Sequence, residues 1–281
     1  MPTPPVDRTI KALRSRVTLW RGTGQKVALV PTMGALHEGH LALVREARKR
    51  AGRVLVSIFV NPAQFGPKED FKSYPRDEAS DLAKLGENAA DAVFAPTLEE
   101  MYPAGFATTI NVAGPATDLE TVTRPQFFGG VATIVAKLLY AATPDIAMFG
   151  EKDYQQLLVI RRMVADLAFP TEIVGLPTVR EADGLALSSR NAYLTEAERT
   201  KAPRLHAALQ SAAEAIRLGT PPDAALSAAQ GKLTAIGFMV DYMRLRNAET
   251  LARVVDDFTE PKRLLAAAWL GKTRFIDNIP V

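Results

Sequence analysis

Lys26-Val27-Ala28-Leu29-Val30-Pro31-Thr32-Met33-Gly34-Ala35-Leu36-His37-Glu38-Gly39-His40 sets the architecture of this chain. Its apolar start, 26–30, reads as a buried strand. Leu41, Val44 and Ala47, with Leu43 beside them, follow at helical spacing. A strand that turns through glycines into a helix leaves unpaired backbone N–H groups aimed at one spot, and the helix dipole adds partial positive charge there. Such a turn is expected to hold phosphate. The chain has three histidines, and two of them, His37 and His40, sit in this turn. Imidazole can donate hydrogen bonds to phosphate and stabilise charge building on phosphorus. The bland alternative is a polar turn with surface histidines. A zinc pair is a third reading, but no HExxH pattern and no cysteine support it. The G-x-G-x-x-G dinucleotide pattern is also absent.

Working outward, 53–60, 91–95, 145–149 and 172–179 read as strands. Helical patterns cover 77–87, Phe127–Ala142 and 153–168, and the second of these is apolar on most sides, as in a core or at a subunit contact. Alternating apolar strands and helices predict an α/β fold, a Rossmann-like parallel sheet with helices on both faces, over residues 1–178. Ligands bind such sheets beyond the carboxyl ends of the strands. The texture changes after 180–184, and residues 179–281 read as a smaller C-terminal α+β domain. Thr195 and Glu198 form a capping box opening one helix with apolar residues at 205, 209, 212 and 216. Gly219, Pro221 and Pro222 break it. A short helix follows, then a strand at 241–246 whose partner is 264–269.

Hydrophobic residues make up 47% and charged residues 23% of 281, ordinary for a globular protein. The first eight residues carry no apolar segment suited to a signal peptide. The apolar runs at 55–60 and 264–270 are far short of the ~20 residues that span a bilayer, so a cytoplasmic location is expected. With no cysteine there is neither a disulfide framework nor a thiol nucleophile. The net charge is +3, and the basic run at 45–53 reads as a solvated helix end. It lacks the interleaved aromatics of a single-strand binding surface, so no nucleic-acid partner is expected.

Three further segments carry suitable chemistry. Asn61-Pro62-Ala63-Gln64-Phe65-Gly66 follows the second strand, and its amides can hold hydroxyls and carboxylates without adding charge. Gly150-Glu151-Lys152-Asp153-Tyr154-Gln155-Gln156 opens a helix after a strand, with Lys152 and Gln156 on one face. Leu187-Ser188-Ser189-Arg190-Asn191 offers two hydroxyls and a guanidinium, a match for phosphate oxygens. Each alone is also consistent with an ordinary loop or helix start.

In combination, PTMGALHEGH (31–40), FVNPAQF (59–65), YPR (74–76), FGEKDYQQL (149–157), VREADGLALSSRN (179–191) and YLT (193–195) resemble pantothenate synthetases. These are the pantoate–β-alanine ligases of the nucleotidyltransferase superfamily with the HIGH-type motif. The resemblance covers nearly the whole chain. It implies a ligase of pantothenate biosynthesis that activates pantoate with ATP, releasing pyrophosphate, and passes the pantoyl adenylate to β-alanine, releasing AMP. Mg²⁺ would support the first step, with Asp81 a candidate ligand and the ligand set otherwise open. Matching motif positions assign ATP to Met33, Gly34, Ala35, Leu36, His37, Glu38, Gly39, His40, Gly150, Glu151, Lys152, Asp153, Val179, Leu187, Ser188, Ser189 and Arg190. Pantoate falls to Asn61, Gln64 and Gln156, and β-alanine to Gln64. His40, His37, Lys152 and Arg190 are the expected catalytic residues.

The family commonly reads Arg-Pro-Gly-His-Phe-Arg-Gly-Val where this chain reads Arg124-Pro125-Gln126-Phe127-Phe128-Gly129-Gly130-Val131. Contacts made there by a histidine and an arginine are therefore missing. A homodimer is expected, with helix 127–142 and an edge strand at 108–112 at the twofold contact. Residues 180–184 are expected to act as a hinge that brings Ser188, Ser189 and Arg190 to the nucleotide. Two rivals remain: a nucleotidyltransferase that leaves the nucleotide in its product, and an RNA-binding module.

Overall fold

Six consecutive apolar or small residues form β2 of the computed structural model, once β1 (Val6–Asp7) and α1 (Ile10–Gly22) have preceded it. The model describes residues 2–67, 69, 71–254 and 260–281. β2 (Val27–Thr32) pairs in parallel with β3 (Arg53–Ile58), from Val27 opposite Arg53 to Thr32 opposite Ile58. With β4 (Ala92–Phe94), β5 (Ile146–Gly150) and β6 (Glu172–Leu176) they make one sheet in the order β1-β4-β3-β2-β5-β6. The four central strands are almost continuously buried, the pattern a parallel sheet shows when both faces are covered. The expected Rossmann-like sheet is thus present. Successive strands run outward from β2 to β3 and β4, and the chain then returns to β5 on the other side. The switch of direction between β2 and β5 is where such sheets open a crevice.

The helices of this layer are α2 (Glu38–Arg50), α3 (Glu78–Glu87), α4 (Leu98–Met101), α5 (Glu120–Thr123), α6 (Phe127–Ala142) and α7 (Tyr154–Asp166). Thirteen of the sixteen residues of α6 are buried within the chain itself, so its apolarity is explained as core and does not call for a second subunit. Residues 108–112, expected as an edge strand, form none here, and the Ile110 N–H donates to Thr133 Oγ1 on α6 instead. In the basic run, Arg45 pairs with Glu38, Lys49 and Arg50 with Glu46, and Arg48 and Arg53 with Asp91. Each of these cations has an acidic partner, the arrangement of a solvated helix end.

The chain divides into two compact units. One holds the residues up to Glu151 together with Val159–Pro177, and the other holds Lys152–Leu158 and Thr178–Val281. In the second unit, α8 (Glu196–Lys201) leads into α9 (Arg204–Arg217) and α10 (Pro222–Ala235), which pack with an antiparallel sheet of β7 (Phe238–Asn247), β8 (Lys262–Leu270) and β9 (Thr273–Pro280). The capping box of Thr195 and Glu198 is present, but it opens only α8. Pro203 splits the single helix expected across 195–216, since a proline cannot supply the N–H that would continue it. The helix expected to be short, α10, runs for 14 residues. Among the described residues no helix is long and apolar enough to cross a membrane.

Candidate active site

The turn after β2 is built from the strand's last hydroxyl. Thr32 Oγ1 donates to Ser57 O at 2.7 Å and accepts the Gly34 N–H at 3.2 Å. Gly34 then takes φ +82°, and a Cβ there would lie 3.0 Å from Asp81 Oδ2 and 3.1 Å from Ile58. Asp81, only 2% exposed, accepts the N–H groups of Ala35 at 2.9 Å and Leu36 at 2.7 Å, while Lys84 Nζ donates to Leu36 O. The sequence led us to expect unpaired N–H groups at this turn, and that expectation is corrected. Those of Gly34, Ala35 and Leu36 are taken, two of them by a buried carboxylate. Burial pushes the Asp81 carboxyl up, against the opposing pull of the two N–H groups and Lys84. With both oxygens committed, Asp81 anchors the turn and is a poor ligand for Mg²⁺. Among the described residues no group of three His, Cys, Asp or Glu side chains is placed to hold a metal.

His37 and His40 cap α2 reciprocally. His37 Nδ1 accepts the Gly39 N–H at 3.1 Å, and His40 Nδ1 accepts the His37 N–H at 3.4 Å. The rings lie 4.1 Å apart. An Nδ1 that accepts a backbone N–H carries no proton, so each neutral imidazole holds its proton on Nε2. The cap therefore sets the tautomer, with each ring's donor on Nε2.

Beyond β3, Asn61 caps the short turn Pro62–Gln64. Its Oδ1 accepts Ala63 N–H and Tyr102 Oη–H, the latter at 2.7 Å. Its Nδ2 donates to Gln64 Oε1 at 3.2 Å and to Gly130 O at 3.1 Å. Asn61 is 1% exposed with both ends of its amide engaged, so it orients Gln64 rather than facing a ligand. Gln64 Oε1 is thereby occupied, and its Nε2 donates to Met33 Sδ at 3.0 Å in the turn after β2. Burial pushes the Tyr102 hydroxyl up to about 12, against the opposing Asn61 hydrogen bond, so it stays a donor at neutral pH. Tyr102 was missed from the sequence, where a tyrosine after Met101 carries no distinctive spacing.

Arg124, also missed, holds Glu69 through two hydrogen bonds and reaches Gln64 O. Phe127, at the position where the resemblance implies histidine, packs its ring centre 3.8 Å from the Arg124 guanidinium. Phe127 is buried there as core.

The first unit also carries Gly150 and Glu151 at the end of β5. The second unit gathers Lys152, Asp153 and Gln156 with Val179, Leu187, Ser188, Ser189 and Arg190. Leu187 N–H donates to Val179 O, and Ser188 caps the turn Ser189–Tyr193 by accepting the Arg190 N–H. Residues 180–184, expected as a hinge, are instead a tied turn inside this unit. Arg180 grips Asp277 through two 2.7 Å hydrogen bonds and also donates to Gly184 O. Arg199 holds both Glu181 and Asp183 at 2.6 Å. The chain passes between units at 151–152, 158–159 and 177–178, outside that turn.

Burial pushes the Asp277 carboxyl up, but the His206 ring 3.5 Å away, the Arg180 hydrogen bonds and charge, and the Asn278 N–H outweigh it, and the net shift is downward. A depressed carboxyl stabilises the fold above its unfolded value, near pH 4, and that contribution is lost as pH falls through the folded value. Acid unfolding below about pH 4 should therefore be blunted in Asp277→Asn, relative to its own stability at pH 7. Equal acid sensitivity in thermal melts of the two proteins would reject this.

The family model described as pantoate-beta-alanine ligase matches residues 6–280. The chain belongs to this family. It is 56% identical to a pantothenate synthetase of Mesorhizobium japonicum, covering 100% of this chain and 99% of that one. The figure for a pantothenate synthetase of Caulobacter vibrioides is 53%, with 100% of both covered. Among solved structures, a pantothenate synthetase from Thermus thermophilus superposes with TM-score 0.91 at 48% identity over 98% of each chain. A pantoate-beta-alanine ligase from Francisella tularensis, complexed with beta-gamma ATP and beta-alanine, gives 0.82 at 33% identity over 99% and 97%. The chain is thus a ligase with the fold of this family.

Proposed function

We propose that this ligase joins pantoate to β-alanine with ATP, through a pantoyl adenylate, releasing pyrophosphate and then AMP. One observation carries the reading: the Tyr102–Asn61–Gln64 chain orients an amide whose Nε2 gives one hydrogen to Met33 Sδ, 3.0 Å away in the turn proposed to hold the nucleotide, and has a second for a carboxylate. A carboxylate held by Gln64 sits beside the α-phosphate of a nucleotide held by that turn. Pantoate's carboxylate is already ionised at neutral pH, so its oxygen attacks phosphorus without a general base, and pyrophosphate leaves. The need is for charge stabilisation, for which the first unit offers His37 and His40 and the second offers Lys152, Arg190 and the hydroxyls of Ser188 and Ser189. Gln64 in the first unit and Gln156 in the second are the amides suited to pantoate. The free amine of β-alanine then attacks the acyl carbon, the acyl–oxygen bond breaks with AMP leaving, and the nitrogen loses its proton. Magnesium enters with the nucleotide phosphates as part of the substrate, because the described residues give it no resident cage. An ATP-consuming reaction carries the expected cytoplasmic location with it.

The test is a mixture of ATP, Mg²⁺, pantoate and β-alanine. AMP and pantothenate in equal amounts support the reading; a product that retains the nucleotide would establish the nucleotidyltransferase rival.

The homodimer belongs to the same proposal, and its support has narrowed. With α6 accounted for as core, there remain the resemblance to the family and two apolar side chains near that helix, Val122 and Tyr140, at 72% and 69% exposure. Light scattering at micromolar concentration should give twice the 30.5 kDa of one chain. A monomer mass would reject it.

A further inference from the structure

Asp277 and Asn278 are adjacent on β9, and both are buried, at 4% and 3% exposure. Neighbouring strand residues point to opposite faces. Buried polar groups therefore stand on both faces of β9 at this point, each with its own partners in the second unit.

Asn278 Nδ2 donates to the backbone carbonyl of Lys152 at 2.9 Å. Its Oδ1 accepts from Arg263 Nε at 2.6 Å. The Arg263 guanidinium in turn lies 3.7 Å from the centre of the Tyr154 ring, and Tyr154 Oη donates to Ala248 O. The segment carrying Lys152 is thus fastened to the antiparallel sheet although 126 residues separate it from Asn278. On the other face, Asp277 holds Arg180 through both guanidinium nitrogens. Arg180 forms a bridge with Ala186, two residues before Ser188. The Asn278 N–H donates to Asp277 Oδ1 at 2.7 Å, which locks the two anchors together.

We propose that Asp277 and Asn278 are positioning residues of the ligase: Asn278 sets the backbone at Lys152, and Asp277, through Arg180, sets the arm that bears Ser188, Ser189 and Arg190. The two segments that meet the ATP phosphates then share one anchor and keep one register. This rests on the proposed roles of Lys152 and Arg190, and the experiment separates the two levels.

Asn278→Asp keeps the shape and the acceptor for Arg263 but sets an oxygen against the Lys152 carbonyl. Pyrophosphate release in a single turnover with ATP and pantoate should slow about 10- to 100-fold, the range for a lost preorganising hydrogen bond. The KM for β-alanine should not change. In a Lys152→Ala background the same substitution should cost less than about twofold, because a misplaced lysine and an absent one are alike. Asp277→Asn placed on Arg190→Ala should behave in the same way.

Losses that multiply fully in the double variants would mean that the pair supports the fold generally, and would overturn the positioning role while leaving Lys152 and Arg190 intact. A Lys152→Ala protein that releases pyrophosphate at the normal rate would remove the parent assignment, and the positioning role with it. If Asn278→Asp does not fold, Asn278→Ala carries the same cycle.

Discussion

Lys152→Ala is expected to slow pantoyl adenylate formation by about a hundredfold or more, the cost of on the order of 3 kcal/mol for one preorganised charge contact in a transition state. The side chain is 22% exposed, and its approach to Asp153 Oδ2, at 3.8 Å, is longer than a hydrogen bond. Its charge is therefore available to a phosphate rather than spent on a close ion pair. The fold should survive the change, because the anchoring contact from Asn278 goes to the backbone carbonyl, which alanine keeps. Melting temperature should move little while single-turnover pyrophosphate release collapses. Lys152→Arg should fall between the two, since it keeps the charge but alters its reach and shape. An alanine variant that forms adenylate at near-normal rate would exclude a role for Lys152 at the phosphates.

Gly130→Ala should damage both the fold and the proposed pantoate pocket. By helix propensity alone alanine would stabilise α6 by about 1 kcal/mol. The site decides otherwise. A Cβ at Gly130 would lie 2.3 Å from Ala63 O and 2.7 Å from Gln64 N, and these are backbone atoms that cannot swing away as a side-chain end would. Overpacking of this kind costs about 1–3 kcal/mol. Relief requires the turn Pro62–Gln64 to shift, which also breaks the Asn61 bond to Gly130 O. Gln64 then loses its orientation, and the KM for pantoate should rise about tenfold or more, equivalent to losing a hydrogen bond of roughly 1.4 kcal/mol. The KM for ATP should change less. Unchanged pantoate KM and melting temperature would show that the turn moves freely and that Gly130 is not needed for close approach.

The sequence by itself determined what is local. β2, the turn after it and α2 follow from an apolar run, glycines and helical spacing within about 25 residues. α6 runs from Phe127 to Ala142, the bounds that its apolar periodicity predicts. The Thr195–Glu198 capping box forms because its two partners are three residues apart. The order of the motifs was enough to suggest the family.

Where local reading failed, the deciding contact was distant or a local breaker was passed over. Pro203 was an unread signal. Residues 108–112 have strand-like composition, but a strand needs a neighbour, and Ile110 found Thr133 instead. Residues 180–184 look loose as a sequence, yet Asp277, 97 residues away, clamps Arg180.

The site follows the same division. Its histidines, amides and lysine are legible as chemical types, but their roles were set by partners that spacing does not reveal. Asp81 claims the N–H groups of a turn about 46 residues away. Tyr102 reaches Asn61 across 41 residues, and Asn278 reaches Lys152 across 126. A hydrogen bond's net worth depends on whether its groups are buried together with a partner in place. Only the packing of sheets and helices brings such groups together, so only the tertiary structure decides which polar residue meets a ligand and which one holds another in place.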